Sequence, residues 1–228
     1  MSKNKVRLVV GAGALLALVV AAVVVRAQAA AGTVHGHVKV TVKGAMKPDA
    51  SGLVLYLVGF NEPAAAAVPQ LEMRDKVFKP VVVPITVGQT VSFPNNDSVF
   101  HNVFSASATR SFDLGQYKNG ESKTKAFAAP GVVDVYCNIH PQMAATIMVL
   151  PNRRWALTGK DGKFNLEGVP VGTWTLYAYS RYADKPVKRE VTVVAGQTLE
   201  LEMAVDEVRT DTPHLNKFGQ AYAKDGGY

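Results

Sequence analysis

The most informative segment of this 228-residue chain is Val132-Val-Asp-Val-Tyr-Cys137-Asn-Ile-His140-Pro-Gln-Met143. Its first half is a Val-rich run typical of a β-strand, and the run ends at the single cysteine of the sequence. Its second half completes a set of thiolate, imidazole and thioether within seven residues, and all three are copper ligands by type. A single cysteine excludes an intramolecular disulfide framework and any zinc site that needs two thiolates.

Short apolar runs of the same kind continue on both sides of this stretch. Upstream, Val or Ile recurs at every second position from Val81 to Val87, Gly88-Gln89 turns the chain, and the alternation resumes up to Phe93. Downstream, residues 144–150 form another apolar run. Short strands at this spacing, without a helical period, predict an all-β chain built from antiparallel sandwiches. A composition of 48% hydrophobic and 19% charged residues is that of a globular protein.

A second set of strands lies near the two ends of the chain. From Val34 to Val42, valines and Gly36 alternate with polar residues. From Leu199 to Val205, apolar residues stand at every second position, with Glu200 and Glu202 between the first of them. The segment from Thr158 to Leu176, with its tight-turn pair Asp161-Gly162, resembles the carboxypeptidase regulatory-like domain, a small transthyretin-like sandwich. In that family a strand with a Gly-x-Val pattern comes first.

The stretch that matches this first strand, Val34-His-Gly-His-Val38, lies about a hundred residues upstream of the rest. We therefore expect residues 33–60 and 152–206 to form one discontinuous sandwich, into which residues 70–150 are inserted as a second sandwich. Domains with adjacent termini tolerate such insertion. A sequential arrangement is the alternative, and we rank it second because the first two strands alone could not bury both faces.

The fourth candidate ligand is His101, which follows the Asn-rich run Pro94-Asn-Asn-Asp97. Two histidines and one cysteine with a weak axial methionine form the ligand set of a blue-copper centre. Zinc fits less well, because structural zinc sites seldom use methionine. The alternative to a metal centre is a buried thiol, a core histidine and a packing methionine.

Residues 70–150 resemble a cupredoxin of the plastocyanin and amicyanin group, a Greek-key sandwich. The motifs that carry the resemblance are Phe78-Lys-Pro80, Val87-Gly-Gln-Thr-Val-Ser-Phe93, Asn96-Asp97 before His101, Pro130-Gly131 before Tyr136-Cys137, and the spacing Cys-x-x-His-x-x-Met. The resemblance implies one type 1 copper. His101, Cys137 and His140 would be its strong ligands, and Met143 its long axial ligand.

The resemblance also implies roles for neighbouring residues. The amide of Asn102 would hydrogen-bond to the Cys137 sulfur. Ile139 stands where the family has proline, so its free amide could make a second such bond and raise the reduction potential. Electrons would pass through an apolar surface patch formed by His140, Pro141 and Phe104.

The N-terminal segment has the features of an export signal. Residues 1–31 combine a basic start, an apolar run from Leu8 to Val25 and the small-residue exit Ala27-Gln-Ala-Ala-Ala31, which is typical of a secretory signal. The apolar run is also long enough for an uncleaved helical membrane anchor. Either reading places the remainder in the periplasm or another extracytoplasmic space, with membrane contact only if the segment is uncleaved.

Charge and the remaining motifs offer little support for other functions. The formal charge of +7 includes four basic residues within the N-terminal segment, and no basic run with interleaved aromatics remains, so nucleic-acid binding is not supported. His35 and His37 share one strand face, but Lys39 and Lys43 lie on it too, which favours a solvated face. Residues 207–228 carry no sustained period and predict an extended or poorly ordered tail.

Together these features favour an exported copper protein that is not an enzyme and that shuttles single electrons. Its transient partners would be redox proteins such as c-type cytochromes or a dehydrogenase, in keeping with the small interfaces of redox encounters. One alternative is a periplasmic copper carrier or store that uses the same ligands. Another is a structural β protein with a vestigial copper loop.

Overall fold

The computed structural model describes residues 30–209 and 214–222. The prediction of an all-β fold is confirmed: within these ranges the chain forms strands and turns and no helix, and hence no helix that could cross a membrane. The predicted signal or anchor covers residues 1–31, and residues 1–29 lie outside the described part. In chain order the strands are β1 Ala31–Val42, β2 Ala45–Met46, β3 Val54–Val58, β4 Glu72–Arg74, β5 Val77–Lys79, β6 Val82–Thr86, β7 Thr90–Pro94, β8 His101–Ser107, β9 Arg110–Tyr117, β10 Ser122–Ala126, β11 Gly131–Tyr136, β12 Ala144–Leu150, β13 Trp155–Leu157, β14 Lys163–Pro170, β15 Gly172–Tyr179, β16 Val187–Val193 and β17 Thr198–Glu207.

Strands from the two ends of the chain pair with one another, and we call them the flanking sandwich. One sheet has the order β14-β1-β17 with β2 on the edge of β1, and the other has the order β13-β3-β15-β16. On β1, Val34, Val38 and Val40 are fully buried, because alternate residues face the core. Gly36 lies between them, and a Cβ there would come within 3.0 Å of the Phe164 ring and meet a carbonyl of β17. Strand β1 therefore needs glycine at that position.

Side-chain hydrogen bonds join the polar face of β1 to β17. His35 Nδ1 lies 2.7 Å from Glu200, and Lys39 donates to Glu202 at 2.7 Å. All four side chains in these two pairs are at least 40% exposed. The arrangement is the solvated face that the sequence favoured, and surface pairs of this kind contribute little to stability.

Strands β4 to β12 form the segment between the two halves of the flanking sandwich. Their main sheet has the order β6-β12-β11-β8-β9, and β10-β7 and β4-β5 form two smaller sheets. The core between them is made by fully buried apolar and aromatic side chains: Leu71, Met73, Ile85, Val91, Phe93, Val103, Val133, Val135, Ala145 and Ile147. Cys137 and Met143 belong to the same buried cluster.

The two units share an apolar contact. Val54 of β3 packs with Val82, Met148 and Leu150 from the β6 and β12 side, and all four are buried. Asn152, at the junction, donates from its side-chain amide to the carbonyls of Leu57 and Phe60 at 2.9 and 3.1 Å. The inserted unit is therefore packed onto the flanking sandwich as well as joined to it covalently.

The sheet order brings the sequence-predicted ligands to one end of the sheet. Strand β11 lies between β8 and β12, with Tyr136 opposite Phe104 on one side and Ala144 on the other. Strand β8 begins at His101, β11 ends one residue before Cys137, and β12 begins one residue after Met143. The loop 137–143, called the ligand loop below, therefore starts beside the beginning of β8.

Candidate metal centre

The ligand loop is closed by two backbone hydrogen bonds. The N–H of Cys137 donates to the carbonyl of Met143 at 3.2 Å, and the N–H of Met143 donates to the carbonyl of His140 at 3.0 Å. These bonds continue the β11–β12 pairing into the loop and turn the His140 side chain back towards Cys137. The loop is thus a compact turn at the end of the sheet.

Three donor atoms converge in this turn. Cys137 Sγ lies 3.8 Å from His101 Nδ1 and 3.7 Å from His140 Nδ1, and the two nitrogens are 3.1 Å apart. A triangle with these sides has its equidistant point at about 2.1 Å from each corner, within the range of metal–nitrogen and metal–sulfur bonds of roughly 2.0 to 2.3 Å. Among the described residues, this is the group of histidine, cysteine and acidic side chains placed to hold a metal ion. The donor set fits a metal ion without rearrangement.

The donors are shielded from water to different degrees. His101, Cys137 and Met143 are fully buried, whereas His140 is half-buried. Burial, and next the neighbouring His101, lower the pKa of His140, which favours the neutral imidazole that binds metals. His140 is therefore the donor nearest to solvent.

The Cys137 thiol has competing influences on its ionisation. Burial raises the pKa of the thiol, while hydrogen bonds from the backbone N–H groups of Asn102, Ile139 and His140 lower it, and the net shift is upward. The Ile139 N–H lies 3.4 Å from Sγ. A thiolate at this position thus has hydrogen-bond donors but lacks a compensating full charge, which a metal cation supplies.

The residues singled out for second contacts to the sulfur lie beside it. The main chain of Asn102 faces Cys137, while its side-chain Nδ2 donates to Asp113 Oδ1 at 2.6 Å. Met143 is buried in the same core cluster as Cys137. Its hydrogen bonds in the loop are made by its backbone, and the axial role of its thioether stays a prediction.

One residue that orients a ligand was not assigned a role from the sequence. Asp97 Oδ2 lies 3.0 Å from His101 Nε2, on the side of the ring opposite the Cys137 sulfur. Asp97 is itself fixed by the backbone N–H groups of Lys76 and Ser98. Its burial raises the pKa, but these hydrogen bonds and that of His101 outweigh the burial, so the pKa of Asp97 is lowered. The i, i+4 spacing of acid and histidine was the available signal.

The predicted surface patch is wrong in one of its three residues. Pro141 is exposed and His140 half-buried, but Phe104 is only 3% exposed. The Phe104 ring lies 5.8 Å from the Tyr136 ring of the neighbouring strand, inside the sheet. It therefore cannot contribute surface at which a partner docks.

The described part of the C-terminal tail, residues 214–222, contains no strand or helix, yet it lies against the ligand loop. Tyr222 donates its hydroxyl proton to the carbonyl of Cys137 at 2.8 Å. The lack of a hydrophobic period predicted an extended or poorly ordered tail, and nothing in that pattern indicated this contact.

No family model and no curated protein sequence matches the chain. Several solved structures do. The chain is similar to a purple cupredoxin from Nitrosopumilus maritimus, with 26% identity over 36% of this chain and 98% of that one and a TM-score of 0.33. It is also similar to a reduced mutant of amicyanin, with 19% identity over 42% of this chain and 97% of that one and a TM-score of 0.35.

A third similar structure is a copper-containing nitrite reductase from Thermus scotoductus, with 27% identity, 41% of this chain and 25% of that chain covered, and a TM-score of 0.35. Each of these three similarities covers less than half of this chain. The regulatory-like resemblance of the flanking sandwich therefore stays a prediction.

Proposed function

We propose that this chain is a type 1 copper protein that carries single electrons between redox proteins. The observation that carries the proposal is the triangle of Cys137 Sγ, His101 Nδ1 and His140 Nδ1, whose sides of 3.8, 3.7 and 3.1 Å suit one bound ion. A copper ion bound there supplies a one-electron couple between Cu(II) and Cu(I), for which thiolate and imidazole donors are suited. The thioether of Met143 is proposed as the weak axial ligand.

The protein's part in this function is to hold the donors in one arrangement. His101 is the first residue of a sheet strand, and its ring is oriented by Asp97. Cys137 and His140 lie in a turn closed by backbone hydrogen bonds. Because these supports do not depend on the charge at the centre, little rearrangement accompanies a change of oxidation state.

Burial favours the electron shuttle over the copper carrier or store. A carrier must release its ion, yet two of the three donors are fully buried. An electron needs only a short approach to the surface, and the half-buried His140 beside exposed Pro141 provides it. We place transient docking of a redox partner, such as a c-type cytochrome or a dehydrogenase, at these two residues.

Copper titration of the purified full chain tests the proposal. We expect one equivalent of Cu(II) to produce an intense visible absorption from charge transfer between the thiolate and copper, and a reversible one-electron wave. The Cys137→Ser variant is the matched control and should stay colourless. Lack of stoichiometric uptake would favour a vestigial loop, and rapid loss of copper to a weak chelator would favour the carrier; either result overturns the shuttle.

We further propose that the protein works in the periplasm or another extracytoplasmic space, because residues 1–31 read as an export signal or anchor. Fractionation of cells that produce the chain, followed by mass determination, tests this. A soluble product that has lost about the first 30 residues indicates cleavage, as the small-residue exit predicts. A full-length product in the membrane fraction indicates an anchor, and a full-length cytosolic product contradicts export.

A further inference from the structure

The tail segment 214–222 makes polar contacts with the ligand loop. Tyr222 Oη donates to the Cys137 carbonyl at 2.8 Å, and His214 Nε2 lies 2.8 Å from the Pro141 carbonyl. The backbone N–H of Lys217 donates to Asn138 Oδ1, also at 2.8 Å. The tail therefore holds the loop at three points, one of them the carbonyl of the cysteine itself.

Ring contacts reinforce these bonds. The His214 ring stacks on the Tyr136 ring with centroids 4.0 Å apart and planes inclined by 20°. The Tyr222 ring meets His214 edge-on at 5.2 Å, and its hydroxyl lies 3.3 Å from His214 Nδ1. Since Tyr136 directly precedes Cys137, this stack packs against the residue at which β11 ends and the ligand loop begins.

A further contact links the tail to the other half of the site. Lys217 Nζ forms an ion pair with Asp113 Oδ2 at 2.8 Å, and Asp113 Oδ1 accepts from the Asn102 side chain at 2.6 Å. Asn102 follows His101 and faces the Cys137 sulfur with its main chain. The tail thus connects the strand that carries His101 with the loop that carries Cys137 and His140.

We propose that residues 214–222 are a positioning element of the metal centre, in which Tyr222 and His214 hold the ligand loop so that the ion is retained and its potential is set. The inference rests on the proposed copper function for the retention and the potential, but the docking of the tail on the loop does not. Without the tail, the carbonyls of Cys137 and Pro141 lose these hydrogen-bond partners, and the loop depends more on its internal backbone bonds and on β8. Contacts to groups around ligands of this kind commonly change metal affinity by about 10- to 100-fold.

Two truncations of the full chain make a matched pair. A stop after Arg209 removes the docked segment, and a stop after Tyr222 removes only residues 223–228. Tyr222→Phe and His214→Ala, which leave the chain length unchanged, are the point variants. Circular dichroism and thermal unfolding establish that each variant folds.

The first measurement needs no copper. Hydrogen exchange of the loop amides, Ile139 and Met143 among them, is compared in the apoproteins. We expect the stop after Arg209 to speed this exchange at least about tenfold, with Tyr222→Phe and His214→Ala intermediate and the stop after Tyr222 unchanged. Equal exchange in the full chain and in the shortest chain would overturn the proposal, whether or not copper binds.

The second measurement uses the copper-loaded proteins. Loss of copper to a chelator should be about tenfold faster after the stop at Arg209, and its reduction potential should differ from that of the full chain. The stop after Tyr222 should match the full chain in both. If the full chain binds no copper, the proposed function fails while the exchange experiment still tests docking. If it binds copper and the short chain keeps the same loss rate and potential, the positioning role fails alone.

Discussion

Asp97 Oδ2 lies 3.0 Å from Nε2 of His101, while Nδ1 of the same ring faces the Cys137 sulfur at 3.8 Å. The carboxylate thus fixes which nitrogen of the ring is available to a metal, and it increases the basicity of that nitrogen. The backbone N–H groups of Lys76 and Ser98 donate to the Asp97 carboxylate, so this side chain is held in place and can orient the His101 ring.

Asp97→Asn should raise the reduction potential of the copper-loaded protein. The variant keeps the shape of the side chain but removes a negative charge beside a ligand, which stabilises Cu(I) relative to Cu(II). A change of roughly 1 kcal/mol, the worth of a hydrogen bond, corresponds to about 45 mV for one electron. Cyclic voltammetry measures it, with Asp161→Asn in the exposed turn of the flanking sandwich as the control. An unchanged potential would remove Asp97 from the tuning of the centre.

Cys137→Ser should abolish the intense visible absorption, because the band arises from the thiolate–copper bond. An alcohol oxygen is a much poorer donor to copper than a thiolate, so the affinity should fall as well. Visible spectroscopy and calorimetric titration measure the two effects. A variant that stays blue with full affinity would show that the sulfur is not a ligand.

Met143→Leu should keep the colour and raise the potential. Leucine fills nearly the same buried volume, so the core remains packed, but it removes the thioether that would stabilise Cu(II) weakly along the axis. Voltammetry and the visible spectrum are the measurements, and Met73→Leu, another fully buried methionine of the same core, is the control. Equal potentials in the two variants would argue that Met143 only packs.

Ile139→Pro should lower the potential. The Ile139 N–H lies 3.4 Å from Cys137 Sγ, and a hydrogen bond to sulfur withdraws charge and favours Cu(I). Proline has no N–H, and losing a bond worth about 0.5–1.5 kcal/mol corresponds to roughly 20–65 mV. Ile139→Val keeps the N–H and serves as the control. If the proline variant and the valine variant share one potential, the bond does not tune the centre.

The ligand positions could be proposed from the sequence because ligand type and strand period can both be recognised from neighbouring residues. Cys137, His140 and Met143 stand at a short, regular spacing after a Val-rich strand, and His101 follows an Asn-rich turn. The role of Asp97 was not proposed, because the sequence does not show which group each nitrogen of the His101 ring faces.

Phe104 was misplaced for a different reason. Residues 101–105 are buried without a break, and the pairing of β8 with β9 shifts register between Asn102 and Phe104. Alternation identifies a solvent face only on a strand that has one, so it gave no sign that Phe104 is enclosed. Residues 214–222 dock through a few polar and aromatic side chains and one backbone N–H, which contact carbonyls and side chains of the inserted unit and produce no hydrophobic period.

The junction between the two units offers a prediction about stability. Asn152 is 1% exposed and its side-chain amide donates to the carbonyls of Leu57 and Phe60, while its Oδ1 accepts from the backbone N–H of Arg154 at 3.0 Å. Asn152→Ala leaves these backbone groups without their partner in a buried place and should lower the free energy of unfolding by about 2–3 kcal/mol.

Denaturant unfolding followed by two probes measures this effect and the coupling of the units. Trp174 packs against Phe60 within the flanking sandwich, so its fluorescence, isolated by replacing Trp155 at the junction with Phe, reports on that unit. The copper absorption reports on the inserted unit. Because Val54 packs with Val82, Met148 and Leu150 across the junction, the two transitions should coincide in the unaltered chain. Asn152→Ala removes the hydrogen bonds from the junction to Leu57 and Phe60, so the transitions should separate in that variant. Asn165→Ala, on the exposed face of β14, is the control and should change neither the free energy of unfolding nor the coincidence of the transitions.

Two outcomes would contradict this prediction. Transitions that are already separate in the unaltered chain would mean that the apolar contact does not couple the two units. A stability loss in Asn165→Ala equal to that of Asn152→Ala would mean that the buried hydrogen bonds are not the cause of the loss.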